Sequence, residues 1–120
     1  PSVEWTAFND SALKEATSTG KPVIIDFSAD WCIPCHELMN RVFTDQRIIE
    51  ESRKFITLKV DMTRIKEREK ELKKRFNVKG VPTIIFLGKD GKEIPDTRIT
   101  GFVEPDEFLR WMQKAIKAKT

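Results

Sequence analysis

The sequence predicts an α/β domain in which a central mixed β-sheet is flanked by helices on both faces. Short runs of β-branched and aromatic residues, such as Val23-Ile24-Ile25-Asp26-Phe27, are typical of strands that are covered on both sides. Segments with helical spacing alternate with these runs, so we expect crossover connections and parallel pairing. The turn signal Lys89-Asp90-Gly91 adds an antiparallel hairpin at the edge of the sheet.

The predicted elements follow one another in the order α-β-α-β-α-β-β-α. Cap chemistry at Asn9-Asp10-Ser11 and a closing Gly20 predict a helix over residues 10–19. A helical segment is expected over residues 32–51, with a break near Thr44-Asp45. The remaining predictions are a strand at 55–61, a helix at 64–75, strands at 84–87 and 98–101, and a helix at 105–117.

The helix predicted at 64–75 is highly charged. Its core side is expected to consist of Ile65, Leu72 and Phe76. Glu71 and Arg75 are spaced for a favourable ion pair one turn apart. We therefore interpret the charges as a solvated helix face rather than as a docking surface.

Composition excludes several classes of function. The 120 residues are 39% hydrophobic and 34% charged with a formal net charge of +3, which predicts one globular domain over 1–120 and argues against a nucleic-acid or membrane surface. No apolar run approaches the roughly 18 residues of a membrane helix. The first five residues lack the basic and apolar regions of a signal peptide. A chain that begins at Pro1 is expected to be a processed or excised fragment.

The strongest chemical signal is Trp31-Cys32-Ile33-Pro34-Cys35, which follows the first buried strand and opens a helix. A Cys32 thiolate would face the unpaired N–H groups and positive dipole end of that helix, so its pKa should fall below the ~8.5 of free cysteine. Pro34 is tolerated in a first turn. Cys35 is expected to be more buried than Cys32, with its sulfur within bonding reach of the Cys32 sulfur. The pair predicts thiol–disulfide exchange, in which Cys32 attacks and Cys35 resolves.

Other chemistries fit the same residues less well. Cys32 to His36 also matches the C-x-x-C-H haem-attachment pattern, with Met39, Met62 and Met112 as the sulfur candidates for a second ligand. Such a protein would be mainly helical, whereas this chain has three β-rich blocks. A structural zinc site needs four ligands, and the chain has two Cys and one His. The third alternative is an inert pair of thiols. We expect no metal and no organic cofactor.

Asp26 is informative because it interrupts an apolar run six residues before Cys32. Burying an ionised carboxyl costs several kcal/mol unless it is paired or neutral. An acid with a raised pKa could accept the proton of Cys35 during resolution. The alternative is a carboxylate satisfied by a backbone N–H at a strand end, and the sequence does not separate the two. His36 is expected on the exposed side of the helix, where its cation could still influence Cys32.

Three segments together resemble a known family. Lys21-Pro22-Val23 through Asp26, Ala29-Asp30-Trp31-Cys32-x-x-Cys35 and Gly80-Val81-Pro82-Thr83 resemble the thioredoxin-like superfamily. The Ala-Asp-Trp-Cys motif and Thr100-Gly101-Phe102 are more similar to the C-terminal periplasmic domain of the DsbD thiol:disulfide interchange proteins. The resemblance covers nearly all of residues 5–117.

The resemblance implies roles for individual residues. Pro82 would be a cis-proline facing the disulfide, and Val81 would offer backbone hydrogen bonds to a partner strand. Asp26 would tune the cysteines, and Trp31 would shield Cys32 and report its redox state by fluorescence. The substrate-binding residues expected on this basis are Trp31, Ile33, Pro34, Val81 and Pro82.

The resemblance also implies an electron relay. Such a domain takes electrons from the membrane-embedded part of the same protein and passes them to an N-terminal partner domain through transient mixed disulfides. Those electrons ultimately reduce periplasmic isomerases and cytochrome c maturation factors, which implies the periplasmic side of the bacterial inner membrane. Two alternatives are a free-standing thioredoxin-like reductase, cytoplasmic or secreted, and a binding or chaperone module with incidental thiols.

Two features bear on the redox properties. Some family members carry an acidic residue four positions after the second cysteine, where this chain has Met39, with Glu37 nearby. If that carboxylate raises the pKa of the nucleophile, Cys32 of this chain is expected to be more acidic. The dipeptide Ile33-Pro34 keeps the proline typical of reducing thioredoxins, so we expect a reductant.

Overall fold

A five-stranded mixed sheet forms the centre of the computed structural model, which describes residues 1–118. Its strands, in the spatial order β1-β3-β2-β4-β5, are β1 (Thr6–Ala7), β2 (Val23–Ser28), β3 (Ile56–Asp61), β4 (Thr83–Leu87) and β5 (Ile99–Thr100). The helices are α1 (Asp10–Thr19), α2 (Ile33–Glu37), α3 (Gln46–Ser52), α4 (Glu67–Arg75) and α5 (Pro105–Lys117). The predicted α/β class with helices on both faces is confirmed.

Strand direction positions the candidate site. β1 and β2 pair with β3 in parallel, whereas β4 runs antiparallel to both β2 and β5. The sequence pattern predicted antiparallel pairing only for the hairpin after β4. That prediction was incomplete: helices separate β4 from β2 in the sequence, so parallel pairing was expected, yet the two strands are antiparallel. Phe27, near the end of β2, pairs with Thr83 at the start of β4. The segment that leads into β4 therefore lies at the same end of the sheet as the C-terminal end of β2.

The side chains of β2 divide the core into two layers, because alternate residues of a strand point to opposite faces. Ile25 and Phe27 pack in the layer that includes residues of α1 and α4. Ile24 packs in the other layer, with Phe108 of α5. Both faces are covered, which explains why this strand is apolar almost throughout. Asp26 shares the face of Ile24, so its carboxyl points into the α3 and α5 side.

The helices predicted at 10–19 and 105–117 are confirmed. Asn9 caps α1 by accepting a hydrogen bond from the N–H of Ala12 at 2.7 Å. Gly20 ends that helix with a φ of 70°, a left-handed conformation that glycine adopts without steric cost. These local signals determine both ends of α1.

The prediction that Ile65 lies on the core side of the charged helix is wrong. The helix begins at Glu67, and Ile65 is 45% exposed in the preceding loop. The reason is local capping: the Glu69 carboxylate accepts a hydrogen bond from the N–H of Lys66 at 2.8 Å, which begins the helix after Ile65. Leu72 is buried as predicted.

The segment predicted to be helical over 32–51 is interrupted, as expected. After α2, a π-helical turn spans Leu38–Val42, and the helical conformation then ends. Asp45 caps the next helix, α3, by accepting a hydrogen bond from the N–H of Arg47 at 2.9 Å. Sequence reasoning missed the π-helical turn and the two-residue strand β1, since neither has a distinct sequence pattern. Within residues 1–118, no helix is both long enough and apolar enough to cross a bilayer.

Candidate active site

Cys32 and Cys35 are joined by a disulfide at the start of α2, just beyond the end of β2. Cys32 is the capping residue of the helix and has an extended backbone. Pro34 fits in the first turn because the N–H groups there have no helical partners. The spacing of the two cysteines predicted a bond between their sulfurs, and this bond is present.

Hydrogen bonding distinguishes the two sulfurs better than burial does. The N–H of Cys35 donates to Sγ of Cys32 at 3.2 Å, so a backbone dipole is directed at the first sulfur and favours its thiolate. The two residues are 5% and 7% exposed, so the expectation that Cys35 is the more buried is wrong. The short helix holds both cysteines against the same core layer.

An exposed apolar rim adjoins the disulfide. Trp31 is 63% exposed and Ile33 is 73% exposed, while Pro34 is half-buried. Singly exposed apolar side chains are common, but two large ones flanking a reactive sulfur form a surface suited to protein contacts. Three of the five predicted substrate-binding residues therefore lie together on this rim.

The other two predicted substrate-binding residues, Val81 and Pro82, precede β4. Their peptide bond is cis. Val81 is half-buried and packs against the core layer that contains both cysteines, whereas Pro82 is buried. The carbonyl of Pro82 accepts from the N–H of Gly101 at 3.1 Å. Across residues 1–118, the backbone N–H and carbonyl of Val81 form no hydrogen bond, which leaves both groups available to an incoming chain.

A cavity of about 70 Å³ lies behind the disulfide, and Cys35 and Asp26 both line it. Asp26 is 4% exposed, and its Oδ1 has no hydrogen-bond partner among the described residues. Desolvation raises the pKa of Asp26 to about 7, and the positive charge of Lys59, its neighbour in register on β3, opposes the rise. The alternative of a carboxylate satisfied by a backbone N–H has no support in residues 1–118, because no donor reaches Oδ1 and the causes of the pKa shift include no backbone hydrogen bond.

Sequence reasoning missed the hydrogen bonds that anchor the active-site loop. Thr63, after β3, accepts from the N–H of Asp30 and from the indole N–H of Trp31, and it donates to Asp61. His36 is exposed, as expected, and one of its ring nitrogens is hydrogen-bonded to the carbonyl of Asp30. The only sequence signal for this anchor was an Asp two residues before a Thr, a spacing common in polar turns.

Lys59 was also missed, although a lysine between the apolar residues Leu58 and Val60 was visible in the sequence. It lines the cavity with Asp26 and Met39. Among residues 1–118, no group of three or more His, Cys, Asp or Glu side chains could hold a metal ion. The five-stranded sheet confirms the β-rich blocks that argued against a haem protein.

Comparison with known proteins identifies relatives over nearly the whole chain. A family model described as a thioredoxin-like domain matches residues 9–116. The chain is 43% identical over 101 residues to the thiol:disulfide interchange protein DsbD of Actinobacillus pleuropneumoniae, a match that covers 84% of this chain and 17% of the relative. It is 36% identical over 109 residues to DsbD of Haemophilus ducreyi, covering 91% of this chain and 19% of the relative. The chain therefore spans less than a fifth of the length of these relatives.

Solved structures give a consistent result. The crystal structure of the Neisseria meningitidis DsbD C-terminal domain in the reduced form matches with a TM-score of 0.76 and 28% identity, over 92% of this chain and 99% of that chain. A thioredoxin from Thermus thermophilus matches in fold, with a TM-score of 0.80 and 24% identity, over 98% of this chain and 89% of that chain. The resemblance found in the sequence is confirmed: the chain belongs to the thioredoxin-like domain family and is similar to the DsbD proteins, including a DsbD C-terminal domain.

Proposed function

We propose that this chain reduces disulfides of partner proteins and serves as the electron-relay domain of a DsbD-type protein. The observation that carries the proposal is the Cys32–Cys35 disulfide, which lies between an exposed apolar rim and a buried acid, Asp26. The partners in this proposal are the membrane-embedded and N-terminal parts of the same protein, on the periplasmic side of the inner membrane. The cysteine pair carries the two electrons in its dithiol form and becomes the disulfide when it passes them on, so no metal or organic cofactor is needed.

The first step is attack by Cys32 in the reduced domain. Its thiolate sulfur forms a bond to one sulfur of the partner disulfide, and that disulfide breaks, so the second partner sulfur leaves as a thiolate. The hydrogen bond from the N–H of Cys35 and the adjacent exposed rim support Cys32 as the attacking residue. The product is a mixed disulfide between Cys32 and the partner.

The second step is resolution by Cys35. Its thiol gives a proton to the carboxylate of Asp26, and the resulting thiolate attacks Sγ of Cys32. The Cys32–Cys35 disulfide forms, the mixed disulfide breaks, and the remaining partner sulfur leaves as a thiolate. Two electrons thus pass to the partner. The shared cavity and the pKa of Asp26, about 7, support this acid as the proton acceptor at neutral pH.

Docking would use the rim and the chain before β4. A partner segment in extended conformation could hydrogen-bond to the free N–H and carbonyl of Val81, as a strand does at a sheet edge. Trp31, Ile33 and Pro34 would contact its side chains. This arrangement would place the partner disulfide over Cys32 in either direction of electron flow.

The reduction potential of the Cys32–Cys35 pair tests the proposal. We expect a value of about −200 to −270 mV, the range of thioredoxins and glutaredoxins, when tryptophan fluorescence is followed in defined dithiothreitol and glutathione buffers. A value near −120 mV would indicate an oxidant and reverse the proposed direction. The absence of a reversible transition would instead favour an inert pair or a binding module. Cys32→Ser provides the control, because it cannot form the disulfide.

Substitution of Met39 tests the electrostatics of the site. Met39 lines the cavity with Cys35 and Asp26, and it stands where some relatives of the family carry an acid. A carboxylate there would repel a nearby thiolate, so Met39→Glu should move the pH of half-maximal Cys32 alkylation upward by about one unit. Met39→Gln, which is similar in shape to Glu but uncharged, should leave that pH nearly unchanged. An equal shift in both variants would show that charge is not the cause.

A further inference from the structure

Thr63, in the loop between β3 and α4, joins the active-site loop to the end of β3. Its hydroxyl oxygen accepts a hydrogen bond from the N–H of Asp30 at 2.9 Å, and its carbonyl oxygen accepts one from the indole N–H of Trp31 at 3.3 Å. The hydroxyl and the N–H of Thr63 donate to one carboxylate oxygen of Asp61, at 2.6 and 2.9 Å. One residue therefore connects two segments that are distant in sequence.

The hydroxyl of Thr63 has a single proton, and its neighbours determine where that proton points. The N–H of Asp30 occupies a lone pair of the oxygen, so the proton is directed to Asp61. Hydrogen bonds from Thr63 are the largest cause that lowers the pKa of Asp61. The acceptor is thus a carboxylate, and the bond is of the stronger, charge-assisted kind. Serine could form both bonds of this hydroxyl, whereas valine, with the same shape as threonine, could form neither.

Trp31 depends on this anchor because most of its indole is exposed and packing holds it weakly. Among residues 1–118, the bond to the carbonyl of Thr63 is the one hydrogen bond of the indole N–H. That carbonyl belongs to a residue whose N–H and hydroxyl are both fixed by Asp61. The orientation of the indole on the rim is therefore set from β3 through Thr63.

We propose that Thr63 is a positioning residue, which holds Trp31 in the orientation that contacts a protein substrate docked beside Cys32. The inference rests on the proposed function and adds a residue to its docking surface. Thr63 forms no hydrogen bond to either cysteine within the described chain, so it takes no part in the bond exchange. Its hydroxyl should matter for a large disulfide substrate and not for a small one.

The test compares Thr63→Val with Thr63→Ser on two substrates. The protein insulin is reduced with dithiothreitol as the electron donor, and the small disulfide dithiobis(nitrobenzoate) is mixed with pre-reduced protein in the absence of dithiothreitol, which would reduce it directly. Thr63→Val should raise the KM for insulin about three- to tenfold, which is the effect of losing one or two hydrogen bonds. The kcat of this variant for insulin and its rate with the small disulfide should both stay within about twofold of the values for the unsubstituted protein. Thr63→Ser should bring the KM for insulin back to within about twofold.

Two further variants serve as controls. Thr57→Val makes the same chemical change on β3, where the hydroxyl donates to the carbonyl of Glu4, and it should leave the KM for insulin unchanged. Trp31→Phe removes the indole N–H but keeps an aromatic ring, and it should raise the same KM. Adding Thr63→Val to Trp31→Phe should then change the KM by less than about twofold, because the hydroxyl acts on the KM only through the orientation of the indole, whose hydrogen bond is already lost.

Several results would overturn the inference. They are a KM for insulin within twofold in Thr63→Val, an equal defect in Thr63→Ser, full additivity with Trp31→Phe, or an equal loss of rate with the small disulfide. If thermal unfolding shows that Thr63→Val does not fold, Trp31→Phe alone decides, since a normal KM in that variant contradicts the role of the indole. Failure of the unchanged chain to reduce either substrate would contradict the proposed function instead.

Discussion

Cys35→Ser should abolish catalytic turnover and trap a covalent adduct with a disulfide substrate through Cys32. The attacking thiol is intact in this variant, so the mixed disulfide forms, but no second thiol is present to resolve it. We expect turnover with insulin to fall by more than about 1000-fold, because the two sulfurs act as one catalytic unit. Non-reducing electrophoresis would detect the adduct, and mass spectrometry of its peptides would identify the linked cysteine.

Cys32→Ser is the matched control for that experiment. It should lose turnover to the same extent and yield no adduct under the same conditions, because Cys35 lines the inner cavity and only the sulfur of Cys32 receives the hydrogen bond that favours a thiolate. Adducts formed through Cys35 in Cys32→Ser, at a yield equal to those through Cys32 in Cys35→Ser, would mean that the two roles are wrongly assigned. Unchanged binding and function in both variants would favour a module with incidental thiols.

Asp26→Asn should stabilise the oxidised protein at pH 8 and leave its stability at pH 4 nearly unchanged. The pKa of Asp26 is about 7 in the folded chain against 3.8 in the unfolded chain, so the folded state binds the proton more tightly. The stability of the unsubstituted protein therefore falls as pH rises from about 4 to about 7, where the unfolded carboxyl is ionised and the folded one is not. Full ionisation of this buried group costs about 4 kcal/mol, and Asn removes that cost.

Urea unfolding between pH 4 and pH 8 measures this effect as a change in the free energy of unfolding. Asp10→Asn provides a control of opposite sign, because the hydrogen bond from Arg75 lowers the pKa of Asp10. That variant should be slightly less stable near pH 7 and equal to the unsubstituted protein below the pKa of Asp10. A free energy of unfolding for Asp26→Asn that parallels the unsubstituted protein at every pH would show that Asp26 is not buried with a raised pKa.

The same substitution should slow the resolution step. Without a carboxylate to accept its proton, Cys35 must lose that proton to water, and general-base assistance by a positioned group is typically worth 10² to 10⁴ in rate. Stopped-flow measurement of adduct decay should also lose the pH inflection near 7. Persistence of that inflection in Asp26→Asn would assign it to another group.

Local signals were sufficient for much of this fold. The cap at Asn9 and the glycine at Gly20 predicted α1 within its observed bounds, because both act through hydrogen bonds and backbone conformations inside one helix turn. The spacing of Cys32 and Cys35 likewise predicted their bond, since residues three apart at a helix start are necessarily close. Interactions of short range in sequence can be read from the sequence.

Long-range features required the tertiary structure. The direction of β4 could not be inferred from the alternation of helices and strands. A helix between two strands does not by itself specify at which end of the sheet the next strand begins. The exposure of Ile65 depended on where the Glu69 cap began the helix. The equal burial of Cys32 and Cys35 depended on packing against residues from other elements.

By itself, the sequence determined the α/β class, the redox pair and the family, because each rests on residue type and short spacing. It left two alternatives for Asp26, which only the tertiary structure separated. Oδ1 of Asp26 has no donor among residues 1–118, and the carboxyl lies in a cavity beside Cys35 and Lys59, where desolvation raises its pKa. The anchor from Thr63 to Trp31 likewise exists only in three dimensions, since the ends of β2 and β3 must be paired side by side before the two loops can meet.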